Sequence, residues 1–312
     1  MAELAYLQVS RVCNQKCVFC SNPANGRVIS WDEAATWIDS FAKDGASGVI
    51  LTGGEPTMFP ELPRLVAYAV KRKLIPRLIT NGQNTADPAY MRALARAGLT
   101  HMHISIHSCR PEVQARLSSN PDSLGNIRRS LGHAGKLGIR VDINTVINKA
   151  NAGHLSELVR WVVEQAPHVR HFVWNNLDPL MNKTSGQSEL VPRLRDFEVE
   201  LHKAMTWLAA TGRTFRVERV PLCFMSEFPY RSTETRKIVK EEGRRIYFLD
   251  EKGLRVQDRS AWTYKKGERC RDCRLAELCA GLYQLGVYYS EAELCPVFMD
   301  PAGVVRRVRE GS

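Results

Sequence analysis

Leu4-Ala-Tyr-Leu-Gln-Val-Ser10 alternates apolar and polar residues and runs straight into Arg11-Val-Cys13-Asn-Gln-Lys-Cys17-Val-Phe-Cys20. Alternation of this length reads as a half-buried β-strand, here over 5–10. Three cysteines therefore occupy the loop at the C-terminal end of the first strand. Short β-branched runs recur at 48–52, 75–80, 101–106, 139–146 and 169–174. Between them lie amphipathic patterns at 31–44, 60–72, 87–97, 123–136 and 153–165, with another at 192–211. Ser30, with Glu33 three residues on, forms a capping box, and Asp87-Pro88 puts proline in a first helical turn, where its missing N–H costs nothing.

Each parallel neighbour in a sheet needs a crossover, so six strand–helix units of this length argue for a parallel α/β fold. Six units are too few for a closed eight-unit barrel. The expected architecture is a partial (β/α)6 barrel over 1–212, with its reactive groups at the C-terminal strand ends. Residues 175–187, rich in Asn, Pro, Ser and Gly, read as a loop that could cover the site. After residue 213 the pattern changes. Arg245–Phe248, the turn Asp250-Glu-Lys-Gly253 and Leu254–Gln257 read as a hairpin flanked by cysteines. The expected second domain, 213–312, is small and metal-binding.

The chain has 312 residues, 44% hydrophobic and 25% charged, and holds no 18-residue apolar run. These values fit a globular protein in solution and exclude a membrane-spanning helix. The N-terminal residues lack the basic region, apolar core and cleavage site of a secretory signal, so a cytoplasmic protein is expected. The net charge of +11 attracts polyanions of any kind. No interleaved basic and aromatic stripe argues for nucleic acid. Nine cysteines, clustered at 13–20 and 270–279, favour metal ligation over disulfides in such a chain.

Three thiolates at spacings of four and three residues can converge on one face of an iron–sulfur cube. The fourth iron then lacks a protein ligand and can bind a cofactor through nitrogen and oxygen. One strand–helix unit later comes Thr52-Gly53-Gly54-Glu55-Pro56. Alone it would read as a strand-to-loop turn. At the next strand end, its glycines permit close backbone approach and Glu55 could complement an ammonium group.

Cys13-x3-Cys17-x-Phe19-Cys20 followed by Gly53-Gly54-Glu55-Pro56 resembles the radical S-adenosylmethionine superfamily, in register over roughly 5–212. The resemblance implies a [4Fe-4S] cluster on Cys13, Cys17 and Cys20, with the methionine end of S-adenosylmethionine on the fourth iron. It further implies reductive cleavage of that cofactor, hydrogen abstraction by the 5′-deoxyadenosyl radical, and an electron donor such as flavodoxin or ferredoxin. Cofactor contacts are expected from Phe19, Gly53, Gly54, Glu55 and Pro56, and at later strand ends from Asn81, Ser105, His107 and Asn144. Cys109 could return a hydrogen atom to a substrate radical, or be a buried, inert thiol.

Cys270-x2-Cys273-x5-Cys279 resembles the SPASM extension of that superfamily, or its shorter twitch form, in which added cysteines hold auxiliary clusters. The match is partial, since Tyr283 stands where the full pattern has a further cysteine. One auxiliary cluster fits the ligand count, with Cys223 as fourth ligand or Cys295 as the alternative. A zinc ribbon is the competing reading, since zinc also takes four thiolates. The implied substrate is a ribosomally made peptide, to be crosslinked, epimerised or oxidised, or alternatively an anionic small molecule.

Overall fold

The computed structural model describes residues 4–23, 25–179, 188–242, 244–251, 253–257 and 264–311. In chain order the elements are β1 (Leu4–Ser10), α1 (Trp31–Lys43), β2 (Gly48–Gly53), α2 (Leu62–Lys71), β3 (Ile75–Thr80), α3 (Pro88–Arg96) and β4 (His101–Ser105). Then come α4 (Pro111–Ser118), α5 (Ser123–Lys136), β5 (Arg140–Ile147), α6 (Leu155–Gln165), β6 (His171–Asn176), α7 (Leu194–Ala210) and β7 (Thr214–Glu218). The last are α8 (Thr233–Lys240), β8 (Arg244–Phe248), β9 (Gly253–Gln257), β10 (Tyr264–Lys265), β11 (Leu282–Tyr283) and α9 (Pro301–Arg309). The β/α alternation is the partial-barrel succession expected from the sequence.

The chain divides into two compact units. The first comprises Met1–Asn144, Trp161–Arg170 and Arg244–Gln257. Its strands lie in the order β5-β4-β3-β2-β1-β8-β9. All its pairings are parallel except β8 with β9. Alternation along each strand sends Leu7, Leu51, Leu78, Ile104 and Ile143 into a core shared with Ile38, Leu65, Leu94 and Ile127 of the covering helices, all at most 1% exposed. Each such side chain contributes about 1.5–3 kcal/mol by leaving water. Ser30 Oγ accepts from Glu33 N, and Asp87 caps α3 with Pro88 at its start, as the sequence predicted, but the Glu33 carboxylate accepts from Tyr247 Oη and does not close the expected capping box.

The second unit comprises Thr145–Arg160, His171–Gly243 and Asp258–Ser312. Within it β6 and β7 pair in parallel, and β10 pairs with β11 antiparallel. Phe172, Trp174, Phe197, Leu201 and Phe215 form its core.

Three features differ from the sequence reading. Strand β7 adds a parallel neighbour to β6 just beyond the boundary expected at 212. Helix α4 occupies a stretch between β4 and α5 with no assigned element; its eight residues are too few for periodicity to declare themselves. The hairpin forms as read, but β8 pairs with β1 in parallel, so it belongs to the first unit rather than to the C-terminal cysteines. Of the loop expected at 175–187, residues 180–187 lie outside the described residues.

Candidate active site

The cysteine loop starts at an irregularity. The β1–β2 register shifts between Gln8 and Ser10, a bulge that turns the chain out of the sheet just before Cys13. Arg11, 7% exposed, anchors the turn: its Nη2 lies 2.7 Å from Asp250 Oδ2 and 2.6 Å from Gln8 Oε1, and its Nη1 donates to Asn22 Oδ1. Asn22 Nδ2 returns a bond to the Arg11 carbonyl, and Asn25 Nδ2 donates to Asp250 at 2.6 Å. Residues on both sides of the three cysteines are thus tied to one carboxylate in the β8–β9 turn.

The two glycines of the Gly-Gly-Glu-Pro segment are required by this same loop. Gly53 has φ +137°, and a Cβ on it would run into the Ser10 carbonyl oxygen. At Gly54 a Cβ would lie 2.5 Å from the Val12 oxygen and 2.8 Å from that of Arg11. The close approach lets Gly54 N donate to Ser10 O and Glu55 N to Val12 O at 2.9 Å. Hence the second strand end holds the start of the cysteine loop by its backbone.

Glu55 is buried, and Pro56 beside it opens a single 3-10 turn. Its Oε1 accepts from Thr57 N (3.1 Å), Thr57 Oγ1 (2.7 Å) and Thr80 Oγ1 (2.7 Å), and its Oε2 from Asn81 N (2.7 Å). Burial raises its pKa, and these bonds oppose the rise. The carboxylate therefore organises the ends of β2 and β3 in addition to any cofactor contact. Asn81, placed by that bond, directs Nδ2 to Asn14 Oδ1 at 2.7 Å and to Cys13 Sγ at 3.7 Å.

At the end of β4, Phe19 meets the ring of His107 edge to face at 4.7 Å. Burial lowers the His107 pKa to about 4, so the ring is neutral at physiological pH. Ser105 stands opposite Asn144 in the β4–β5 register, and Ile106 N donates to the Asn144 carbonyl. Cys109 is buried in the turn before α4. Asp142 instead meets His101 Nε2 at 2.8 Å and Arg140 Nε at 3.2 Å, a network at the opposite ends of the strands.

Backbone N–H groups point at the Cys13 and Cys20 sulfurs: Gln15 N at Cys13 Sγ and Asn22 N at Cys20 Sγ, both at 3.4 Å. Such donors suit thiolates that carry iron. Burial raises the Cys13 pKa, the Gln15 bond opposes this, and the charges of Glu55 and Cys20 act on it from nearby. Among the described residues, only His101, His103 and Asp142 bring three ligand atoms of His, Cys, Asp or Glu within 4.8 Å of one another. Four sulfurs around zinc, with bonds of about 2.3 Å, would sit about 4 Å apart. Among the described residues, neither cysteine set brings three sulfurs that close together.

In the second unit, five cysteines share one neighbourhood. Burial pushes the Cys223 thiol up to about 12, with Cys295 and Cys279 acting on it. Burial also raises Cys279, whose neighbours include Cys270 and Cys273. Val297 N donates to Cys273 Sγ (3.3 Å) and Gly281 N to Cys279 Sγ (3.4 Å). Thr235 Oγ1, at the start of α8, donates to the Leu278 carbonyl and pins the segment before Cys279.

The sequence reading did not find Asp250, Thr57 or the buried polar group Gln15, Gln114 and Ser123. Thr80 was legible only as a polar strand end, and Gln15 only by its place between Cys13 and Cys17.

The model of the Radical SAM superfamily matches residues 7–162, half of the chain, and the chain belongs to that superfamily. It is an enzyme of the class that uses S-adenosylmethionine and a [4Fe-4S] cluster, the reading its first three cysteines supported. It is 31% identical over 159 residues to a GTP 3′,8-cyclase of Aquifex aeolicus, covering 48% of this chain and 49% of that relative. It is 28% identical over 178 residues to a PqqA peptide cyclase of Xanthomonas axonopodis pv. citri, covering 54% and 48%. The chain thus spans about half the length of these curated relatives. Its fold resembles native anSMEcpe with bound AdoMet and Kp18Cys peptide, at a TM-score of 0.66 and 14% identity, over 99% of this chain and 96% of that one. No described helix is long and apolar enough to cross a membrane.

Proposed function

We propose that this chain cleaves S-adenosylmethionine at a cluster held by Cys13, Cys17 and Cys20, and directs the resulting radical to a ribosomally made peptide, which it crosslinks, epimerises or oxidises. The observation that carries the first part is the gathering of three half-buried thiols, the Glu55 carboxylate and the Asn81 amide at adjoining strand ends. A [4Fe-4S] cluster held by Cys13, Cys17 and Cys20 would supply the electron for reductive cleavage of the sulfonium. The chain's own part is to hold and shield. Asn81 and Gln15 N–H groups support the Cys13 sulfur, Gly54 and Glu55 fix the loop's backbone, and Phe19 against neutral His107 gives an apolar wall for an adenine. Gly53, Pro56, Ser105 and Asn144 complete the cofactor-facing set in this reading.

Cys223, Cys270, Cys273 and Cys279 hold one auxiliary cluster in the same proposal, with 213–312 as the segment that carries it. Cys295, exposed and beside Cys223, is the alternative fourth ligand. An electron donor of flavodoxin or ferredoxin type would deliver the electron in the cytoplasm.

Support for a peptide substrate comes from the PqqA peptide cyclase likeness. A second reading, an anionic nucleotide, is favoured by the GTP 3′,8-cyclase likeness together with the net charge of +11. Formation of 5′-deoxyadenosine by reduced, anaerobic protein tests the chemistry, and Cys17→Ala should abolish it. Adding GTP separates the substrates. Stimulation of turnover with conversion of GTP would replace the peptide reading, and stimulation only by short peptides encoded beside the gene would uphold it.

A further inference from the structure

Between the cysteine loop and the start of α5 lies a buried chain of polar side chains that the cofactor contacts do not account for. Gln15 Nε2 donates to Ser123 Oγ at 3.1 Å, and Gln114 Nε2 donates to the same oxygen at 3.0 Å. Gln114 Oε1 in turn accepts the backbone N–H groups of His107 (2.9 Å) and Ser108 (3.0 Å). Gln15, Gln114 and Ser123 are 9%, 1% and 0% exposed, so water cannot replace a lost partner. The other end of the Gln15 amide faces the loop: its Oε1 lies 3.8 Å from Cys17 Sγ.

That arrangement satisfies a protonated thiol, which donates to the amide oxygen. A cysteine bound to iron is a thiolate and only accepts. The two ends of a glutamine amide have nearly the same shape, so a half-turn exchanges donor for acceptor in place. After it, Nε2–H donates to the Cys17 sulfur and Oε1 accepts the Ser123 hydroxyl proton. Ser123 Oγ still accepts from Gln114 Nε2, whose orientation is fixed by the His107 and Ser108 N–H groups. Every member of the chain keeps a partner in both states.

We infer that Gln15, oriented by Ser123 and Gln114, is a positioning residue that donates an N–H···S bond to the Cys17 thiolate and raises the reduction potential of the N-terminal cluster. Cys13 and Cys20 already receive such bonds from backbone N–H groups. Gln15 adds one to Cys17 from a side chain, with the end of β4 as its ultimate support. Hydrogen bonds to cluster sulfurs stabilise the more negative, reduced state, so removing one lowers the potential.

The inference rests on the proposed assignment of Cys17 as a cluster ligand, and one experiment separates the two. Reconstituted full-length protein is titrated with dithionite and mediators, and the paramagnetic signal that changes on adding S-adenosylmethionine is followed. Gln15→Leu and Ser123→Ala should each lower the midpoint, by up to a tenfold change in the reduced-to-oxidised ratio, about 59 mV for one electron. Ser123→Thr, which keeps the hydroxyl, should titrate like the wild type. Ser123→Ala decides the matter if Gln15→Leu fails to load iron, because Ser123 touches no sulfur. Variants that bind iron normally and titrate at the wild-type midpoint overturn the relay alone. A wild-type signal indifferent to S-adenosylmethionine overturns the assignment beneath it as well.

Discussion

Arg11 Nη2 and Asp250 Oδ2 stand 2.7 Å apart, joining the residue that opens the cysteine loop to the turn of a hairpin near the other end of the chain. Arg11 is almost wholly buried and Asp250 about a quarter exposed, so the pair is shielded on one side only. Loss of the carboxylate leaves a buried guanidinium without its charge partner and frees Asn25 on the far side of the loop. Asp250→Ala should destabilise the protein by about 1–3 kcal/mol. Urea unfolding measures this, and iron retention should fall in parallel.

The same pair sets an acid limit. Burial alone would raise the Asp250 pKa, but the Asn25 bond and the Arg11 and Arg27 charges lower it below the ordinary value of 3.8. A depressed carboxylate contributes stability that is complete above its unfolded pKa and lost as pH falls through the folded one. Below about pH 4 the wild type should therefore lose more stability than Asp250→Asn, read as the narrowing gap between their thermal midpoints.

Glu55→Gln tests the organising role of that carboxylate. Four donors converge on it, so an amide NH2 must meet at least one of them. A cost of about 1–3 kcal/mol is expected, with loss of the Asn81 bond that steers its side chain toward Cys13. Differential scanning calorimetry gives the first and iron content the second. An unchanged melting temperature would remove Glu55 from the support of the loop.

Gly54→Ala places a methyl against the Val12 and Arg11 carbonyls, where neither backbone can yield without moving Cys13. Overpacking of this kind costs about 1–3 kcal/mol. The expected phenotype is folded protein that loses the iron of the N-terminal site while retaining that of the second. Normal loading of both would show that the loop adapts.

Cys223→Ser and Cys295→Ser distinguish the two candidate fourth ligands. The first should lose the auxiliary cluster, about four irons per chain. The second should retain it, and iron analysis beside protein quantitation reads the difference. The reverse pattern would hand the role to Cys295.

Much of this architecture was legible because its signals are local. The alternation of strands and helices, the caps at Ser30 and Asp87, and the spacing of Cys13, Cys17 and Cys20 each lie within one stretch of chain. What escaped is long-range. Nothing near Asp250 announces Arg11, because their meeting depends on β8 pairing with β1. Gln15, Gln114 and Ser123 are ordinary polar residues that gain meaning only once buried together. Helix α4, which carries Gln114, was too short to show a period. Gly53 and Gly54 were read as giving close backbone approach, which holds; the partner approached is the chain's own cysteine loop, a contact no local pattern records.

Electron paramagnetic resonance of the reduced protein, with and without S-adenosylmethionine, tests the central claim most directly. An iron left open by Cys13, Cys17 and Cys20 predicts that the cofactor shifts the spectrum of one cluster in the wild type and that Cys17→Ala lacks the response. Superimposable spectra of a fully loaded wild-type sample, with cofactor present in excess, would contradict it.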